Sequence, residues 1–179
     1  MNALAHCAEA LYVEGRNDEA DRQALAGANL ISSSLPLVLA DPEYADARRQ
    51  LLEGAMHAGA ALAGAGLGLA HAMAQALGGR YGLPHGALNA ICLPPALRFN
   101  EPVAGAEIGR FGEAMATHDP VGRTRELARL GGFTLLRHLN VPEDELDEVA
   151  AEAAERRGTK ANPRPASAED IAELYRSVW

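Results

Sequence analysis

Three of the six histidines in this chain stand where they could act together: His6, His71 and His85. Asn2 precedes His6 by four residues, so in a helix the two project from one face. Gln75 follows His71 by the same interval. His85 comes directly after Leu83-Pro84, 14 residues beyond His71. Imidazole is the commonest metal ligand and the side chain that exchanges protons near neutral pH. Three imidazoles from separate helices suit a divalent metal site or an active site. Asn2 would be a neutral fourth ligand, weaker than a carboxylate. An ordinary core or surface role competes with both readings, because no fixed motif distance links His6 to His71.

Other candidates are weaker. His57, His118 and His138 have no partner pattern. Cys7 and Cys92 lie in apolar helical surroundings that suit packed thiols. Gly64-Ala-Gly-Leu-Gly68 lacks the spacing of a dinucleotide fingerprint and no strand precedes it. No serine occupies a nucleophile elbow.

The elements that must position these residues read as helices throughout. Ala3 to Val13 is apolar at helical spacing. Asp18 is placed to cap a helix from Glu19 to Leu39, with a kink or early end expected at Pro36. Asp41-Pro42 reads as the cap and first turn of a third helix reaching Leu62. Leu69 to Leu77 follows, with Gly78-Gly79 as its stop. His85 opens a segment to Phe99 that Pro94-Pro95 should distort, and Ala106 to Met115 is a further helix. Asp119-Pro120 caps another to Leu130. Thr134 to Leu139 is a short turn, and Pro142 to Glu155 an acid-started helix. Arg157 to Pro165 reads as loop, and Ser167-Ala-Glu-Asp170 as the capping box of a last helix. The expectation is one all-α domain over residues 1–179 with seven to nine helices and no sheet.

Composition agrees. Alanine supplies 37 of 179 residues, and Phe, Tyr and Trp together only 8. That favours helices in close contact over strands. With 48% apolar and 22% charged residues, wholesale disorder is excluded. A net charge of −8 argues against nucleic acid as a partner. The 13 weakly polar residues from Ala58 to Ala70 are too few to span a bilayer. Two cysteines and the lack of a basic leader at Met1-Asn-Ala-Leu imply a reduced, cytoplasmic setting without membrane attachment.

The motifs together resemble a known family. Met1-Asn-Ala-Leu-Ala-His-Cys-Ala-Glu-Ala-Leu-Tyr12 is similar to the opening of the helical domain of the iron-containing alcohol dehydrogenases, closest to their maleylacetate reductase branch. His71-Ala-Met-Ala-Gln-Ala-Leu-Gly-Gly79 with Leu83-Pro-His-Gly86 resembles the family's second and third histidine motifs. Asn162-Pro-Arg-Pro165 resembles its C-terminal signature. The resemblance implies the C-terminal helical half of a dehydroquinate synthase-like, two-domain enzyme. The other half would be an N-terminal α/β domain that binds NAD(P)H, present in cis or in trans, and the assembly a homodimer.

By that resemblance the family's metal-ligand positions fall on Asn2, His6, His71 and His85, which would carry Fe²⁺ or Zn²⁺. Asn2 replaces the Asp of metal-dependent members, as in the maleylacetate reductase branch. Gln75 falls where many members carry a further His beside the nicotinamide, and Gln cannot relay a proton near neutral pH. The implied reaction is NAD(P)H-dependent reduction of a small carboxylate, maleylacetate, to 3-oxoadipate in aromatic catabolism, with His6, His71 and His85 catalytic. Two alternatives remain: half of a metal-dependent alcohol dehydrogenase, and a non-catalytic helical binding or structural module.

Overall fold

The computed structural model describes all residues, 1–179, and contains helices and turns but no strand. The helices are α1 (Asn2–Ala10), α2 (Asp18–Ala40), α3 (Ala45–Ala65), α4 (Leu69–Tyr81), α5 (His85–Ala114), α6 (Pro120–Leu130), α7 (Leu146–Ala154), α8 (Arg157–Lys160) and α9 (Ala168–Arg176). Short 3₁₀ turns at Leu136–Leu139 and Glu143–Glu145 join α6 to α7. The all-α expectation holds.

Close contact between small residues shapes the first half. α2 and α3 form a long antiparallel pair that packs on α1. A Cβ on Gly27 would lie 2.7 Å from Cys7 Sγ and 3.0 Å from the Gly54 carbonyl, and one on Gly54 would lie 2.8 Å from Ile31. These positions let three backbones approach as only glycine allows. α3 ends at Gly66, whose φ is +98°, and the chain turns through 100° into α4. One continuous core of 41 buried residues runs through Leu4, Leu11, Leu69, Met73, Leu88, Leu97, Phe111, Leu127 and Tyr175. Tyr175 donates to the Met73 carbonyl at 2.9 Å and so ties α9 to α4.

Several boundaries differ from expectation for identifiable reasons. α2 is capped by Asn17, whose Oδ1 accepts from Ala20 N–H at 3.0 Å, and Asp18 is already helical. Pro36 does not end α2, which continues to Ala40. The missing proline N–H leaves the Ser32 carbonyl without its helical donor, and Arg123 of α6 donates to it at 2.9 Å. Asp41 accepts from Glu43 N–H at 3.0 Å, so Asp41-Pro42 closes a turn and α3 starts only at Ala45. Gly78 and Gly79 lie inside α4, and the stop is Gly82 at φ +65°.

Pro94 and Pro95 stay within regular helix. The break in α5 is at Ala104, two residues beyond Pro102. Residues 157–160, expected as loop, form α8. The caps at Asp119 and Ser167 are as expected, including the reciprocal bonds of Ser167 and Asp170.

α2 alone is long and apolar enough to meet a membrane-span criterion, with a mean hydropathy of 1.3. Its Ala20, Ala24, Ala28 and Ile31 are buried against the rest of the protein, and about a third of the apolar stretch is buried in all.

Candidate active site

α1 is short, but one face of it carries Asn2, His6 and Glu9. The first turn of α4 brings His71, and the first two turns of α5 bring His85 and Asn89. The three histidines converge. The rings of His6 and His71 stack at 4.6 Å with 18° between planes, and His71 and His85 are 5.7 Å apart at 45°.

Asn2 sits among them. Its Oδ1 is 3.2 Å from His71 Nε2, and its Nδ2 is 3.4 Å from His6 Nε2. Asn89 donates to Asn2 Oδ1 at 2.9 Å and lies 3.0 Å from His85 Nε2. The result is a chain of contacts through His6, Asn2, Asn89 and His85, with His71 closing it.

Beneath this ring lies Glu9, fully buried. Its Oε2 accepts from Gly68 N–H at 2.7 Å and faces His71 Nδ1 at 2.6 Å. Its Oε1 accepts from His71 N–H at 3.2 Å. Glu9 and Asn89 were not singled out in the sequence. The helical interval that pairs Asn2 with His6 continues to Glu9, and Asn89 follows His85 by four, so the signal was present.

Burial, and next the neighbouring His71, pull the His6 pKa down to about 4, with His85 adding to the fall and Glu9 opposing it. Burial and His71 also lower His85. His6 is therefore a neutral imidazole near pH 7, one that donates or accepts a hydrogen bond without carrying charge. Burial raises Cys7 to about 12 and raises Cys92 as well, so both thiols are packing groups.

The donor types fit a divalent ion: three imidazoles with an amide oxygen beside them. As the rings stand, no three His, Cys, Asp or Glu side chains meet the spacing of an ion site. His6 and His71 lie face to face, and a shared ion would require one of them to turn.

Gln75 makes no hydrogen bond to the histidines. It lines a neighbouring cleft of about 740 Å³, walled by the Leu62–Leu67 turn, Glu14 and α8. α8 brings Arg157 and Lys160 into this cleft. Lys160 pairs with Glu155 at 3.0 Å, whereas no carboxylate lies within ion-pair distance of Arg157.

The all-helical fold is the one the resemblance implied. The chain belongs to the iron-containing alcohol dehydrogenase family, and the model of that family's C-terminal domain matches residues 1–179. Maleylacetate reductase 2 of Cupriavidus pinatubonensis is 36% identical over 187 aligned residues, covering all of this chain and 50% of that protein. 1,3-Propanediol dehydrogenase of Citrobacter freundii is 33% identical over all of this chain and 49% of its own length. The crystal structure of maleylacetate reductase from Agrobacterium tumefaciens superposes with a TM-score of 0.92 at 32% identity, over 99% of this chain and 50% of that one. The chain thus spans about half the length of the relatives it matches.

Proposed function

We propose that this chain is the helical, substrate-facing half of an NAD(P)H-dependent reductase of the maleylacetate reductase type, and that it is inactive without a nucleotide-binding half in cis or in trans. The observation that carries this reading is Asn2 at the centre of the His6–His71–His85 cluster. An uncharged residue stands there, hydrogen-bonded into a ring of imidazole and amide partners, where a metal-dependent site would place an anion. Identity to maleylacetate reductases supports the same branch.

NAD(P)H, when bound, supplies hydride to the substrate's C=C bond at the carbon β to the ketone. Charge then develops on the ketone oxygen as an enolate. The imidazoles of His6 and His71 and the amide of Asn2 are placed to hold that oxygen with fixed dipoles. The carbon α to the ketone takes a proton, which completes 3-oxoadipate. His85 is the exposed member of the cluster, so it is the group that can recover a proton from water between turnovers. Arg157, without an internal partner, and Gln75 would hold a substrate carboxylate in the adjoining cleft. Fe²⁺ or Zn²⁺, if taken up, would sit on His6, His71 and His85 beside Asn2 and polarise the same oxygen.

The test is reconstitution. The chain is co-expressed with the N-terminal half of a maleylacetate reductase, and NADH consumption is followed with maleylacetate and, separately, alcohol oxidation with NAD⁺. Maleylacetate-dependent turnover in the pair, absent from the chain alone and weakened mainly in KM by Arg157→Ala, is expected. Turnover of primary alcohols that needs added Fe²⁺ or Zn²⁺, with none on maleylacetate, would move the chain to the metal-dependent dehydrogenases.

A further inference from the structure

A second cavity, of about 700 Å³, shares no residue with the histidine centre or with the Arg157 cleft. That is the size of a small-molecule site. α5 walls one side of it with Ile91, Pro95 and Phe99, and Phe133, Leu135 and Leu174 wall the other. No acidic side chain lines it.

Two arginines stand among these apolar walls, Arg98 on α5 and Arg125 on α6, and both are exposed. Carboxylates elsewhere pair with Arg16, Arg80, Arg110, Arg123 and Arg176, and none lies within ion-pair distance of Arg98 or Arg125. In a chain of net charge −8, two unpaired guanidiniums at an acid-free cavity suit an anion, and their planar forks match a carboxylate.

The wall on α5 carries a second, independent demand. Proline has no N–H, so the carbonyl four residues before it loses its helical donor. Pro94 and Pro95 are adjacent and lie within helix. The Ile91 carbonyl therefore has no N–H to meet at either the fourth or the third residue after it. At Pro36 the same loss is made good by Arg123, which donates to the Ser32 carbonyl; no side chain does this for Ile91. Ile91 is 3% exposed and lines the cavity, so a donor for its carbonyl must come from what fills that space.

We propose that this cavity binds an amphipathic carboxylate with a hydroxyl at its far end. The carboxylate pairs with Arg98 and Arg125, the apolar body lies along Pro95 and Phe99, and the hydroxyl donates to the Ile91 carbonyl. Ile91, Pro95 and Arg98 follow one another on one face of α5. Seven residues of helix rise set the two ends of the ligand about 10 Å apart, which a decanoyl chain spans. The site goes beyond the reductase reading and does not depend on it.

The experiment titrates the ¹⁵N-labelled full chain with 10-hydroxydecanoate, decanoate and 1,10-decanediol, reading affinity by calorimetry and location by amide shifts. Saturable 1:1 binding of 10-hydroxydecanoate is expected, with shifts at Phe133, Leu135 and Val178. Decanoate, which lacks the donor, should bind about fivefold more weakly, and the uncharged diol about tenfold or more. Arg98→Ala and Arg125→Ala should each weaken 10-hydroxydecanoate about tenfold; neither side chain bonds within the protein, so both variants keep the fold. Pro95→Ala returns an N–H to the Ile91 carbonyl, and the preference for the hydroxy acid over decanoate should vanish. A diol that binds as well as the acid, shifts centred on the Arg157 cleft, or a preference that survives Pro95→Ala would overturn the proposal. The same amides shifting with protein concentration alone would also overturn it, since the occupant would then be a second copy of the chain.

Discussion

Replacing Asn162 by alanine should be among the most damaging single changes outside the core. Asn162 and Asn100 are both buried and exchange two hydrogen bonds, Asn100 Nδ2 to Asn162 Oδ1 at 2.9 Å and Asn162 Nδ2 to Asn100 Oδ1 at 2.7 Å. Asn162 Nδ2 also donates to the Arg164 carbonyl at 2.7 Å. Arg164 in turn donates to the Phe99 carbonyl at 2.8 Å and lies 3.9 Å over the Phe99 ring. The Asn-Pro-Arg-Pro segment is thus clasped to α5 just before its break at Ala104.

Alanine at 162 strands both polar groups of Asn100, which has no exposure through which water could replace them. At about 1–3 kcal/mol for each stranded buried group, less what relaxation recovers, the loss is about 3–5 kcal/mol. For a chain of this size that lowers Tm by about 10–15 °C. Urea unfolding of Asn162→Ala, Asn100→Ala and the double variant at 25 °C measures it. A coupling of about 1.5–3 kcal/mol is expected between two residues in one network. A loss below about 1 kcal/mol for Asn162→Ala, or additive single losses, would show that the amide pair is not what holds the segment.

Gly158→Ala should destabilise by about 1–3 kcal/mol through overpacking, because its Cβ would meet the Gly68 carbonyl at 2.4 Å; an unchanged melting curve would contradict that contact. The lowered pKa of His6 makes stability pH-dependent in one direction. The folded protein stays neutral at His6 to about pH 4, while the unfolded chain takes up a proton near pH 6.5. This contribution is whole above about pH 6.5 and is lost as pH falls toward 4. Urea midpoints at pH 7 and pH 5 should differ less in His6→Gln than in the unaltered chain, and an equal difference would assign the effect to other groups. Asn2→Asp should raise Zn²⁺ affinity by about tenfold or more by adding an anionic ligand, and calorimetry finding no gain would show that the imidazoles cannot turn toward a common ion.

Helices whose caps and periodicity agree were legible in the sequence: α6 behind Asp119-Pro120 and α9 behind Ser167 lie where local chemistry puts them. The errors came from partners distant in the chain. Pro36 looked like a helix end because Arg123, 87 positions later, cannot be seen as the donor that repairs Ser32. Gly78-Gly79 looked like a stop because the left-handed backbone that ends α4 sits at Gly82, a conformational fact rather than a compositional one. In the candidate site, residue type marks out His6, His71 and His85, and the family resemblance rather than their spacing ties them together. Glu9 was passed over because acids on helix faces are usually solvated, and its burial depends on α4 arriving over α1. Arg157 carries no such signal because its segment reads as loop in the sequence and becomes helix only against α4.

The contacts that build the site also explain why glycine recurs around it. Gly68 is pressed from two sides: the Glu9 carboxyl would meet its Cβ at 3.1 Å, and its carbonyl already lies where a Cβ on Gly158 would be, at 2.4 Å. α8 is therefore seated closely on the first turn of α4, and that turn carries His71. Close-packed backbones transmit displacement because there is no void to absorb it. A shift of α8, such as closure of the cleft around a carboxylate held by Arg157 would produce, bears first on Gly68. Gly68 is hydrogen-bonded to Glu9, and Glu9 orients His71. The cleft beside α8 and the central imidazole are joined by three residues in direct contact, so substitutions at Gly68 or Gly158 should alter the His71 ring before they alter the fold.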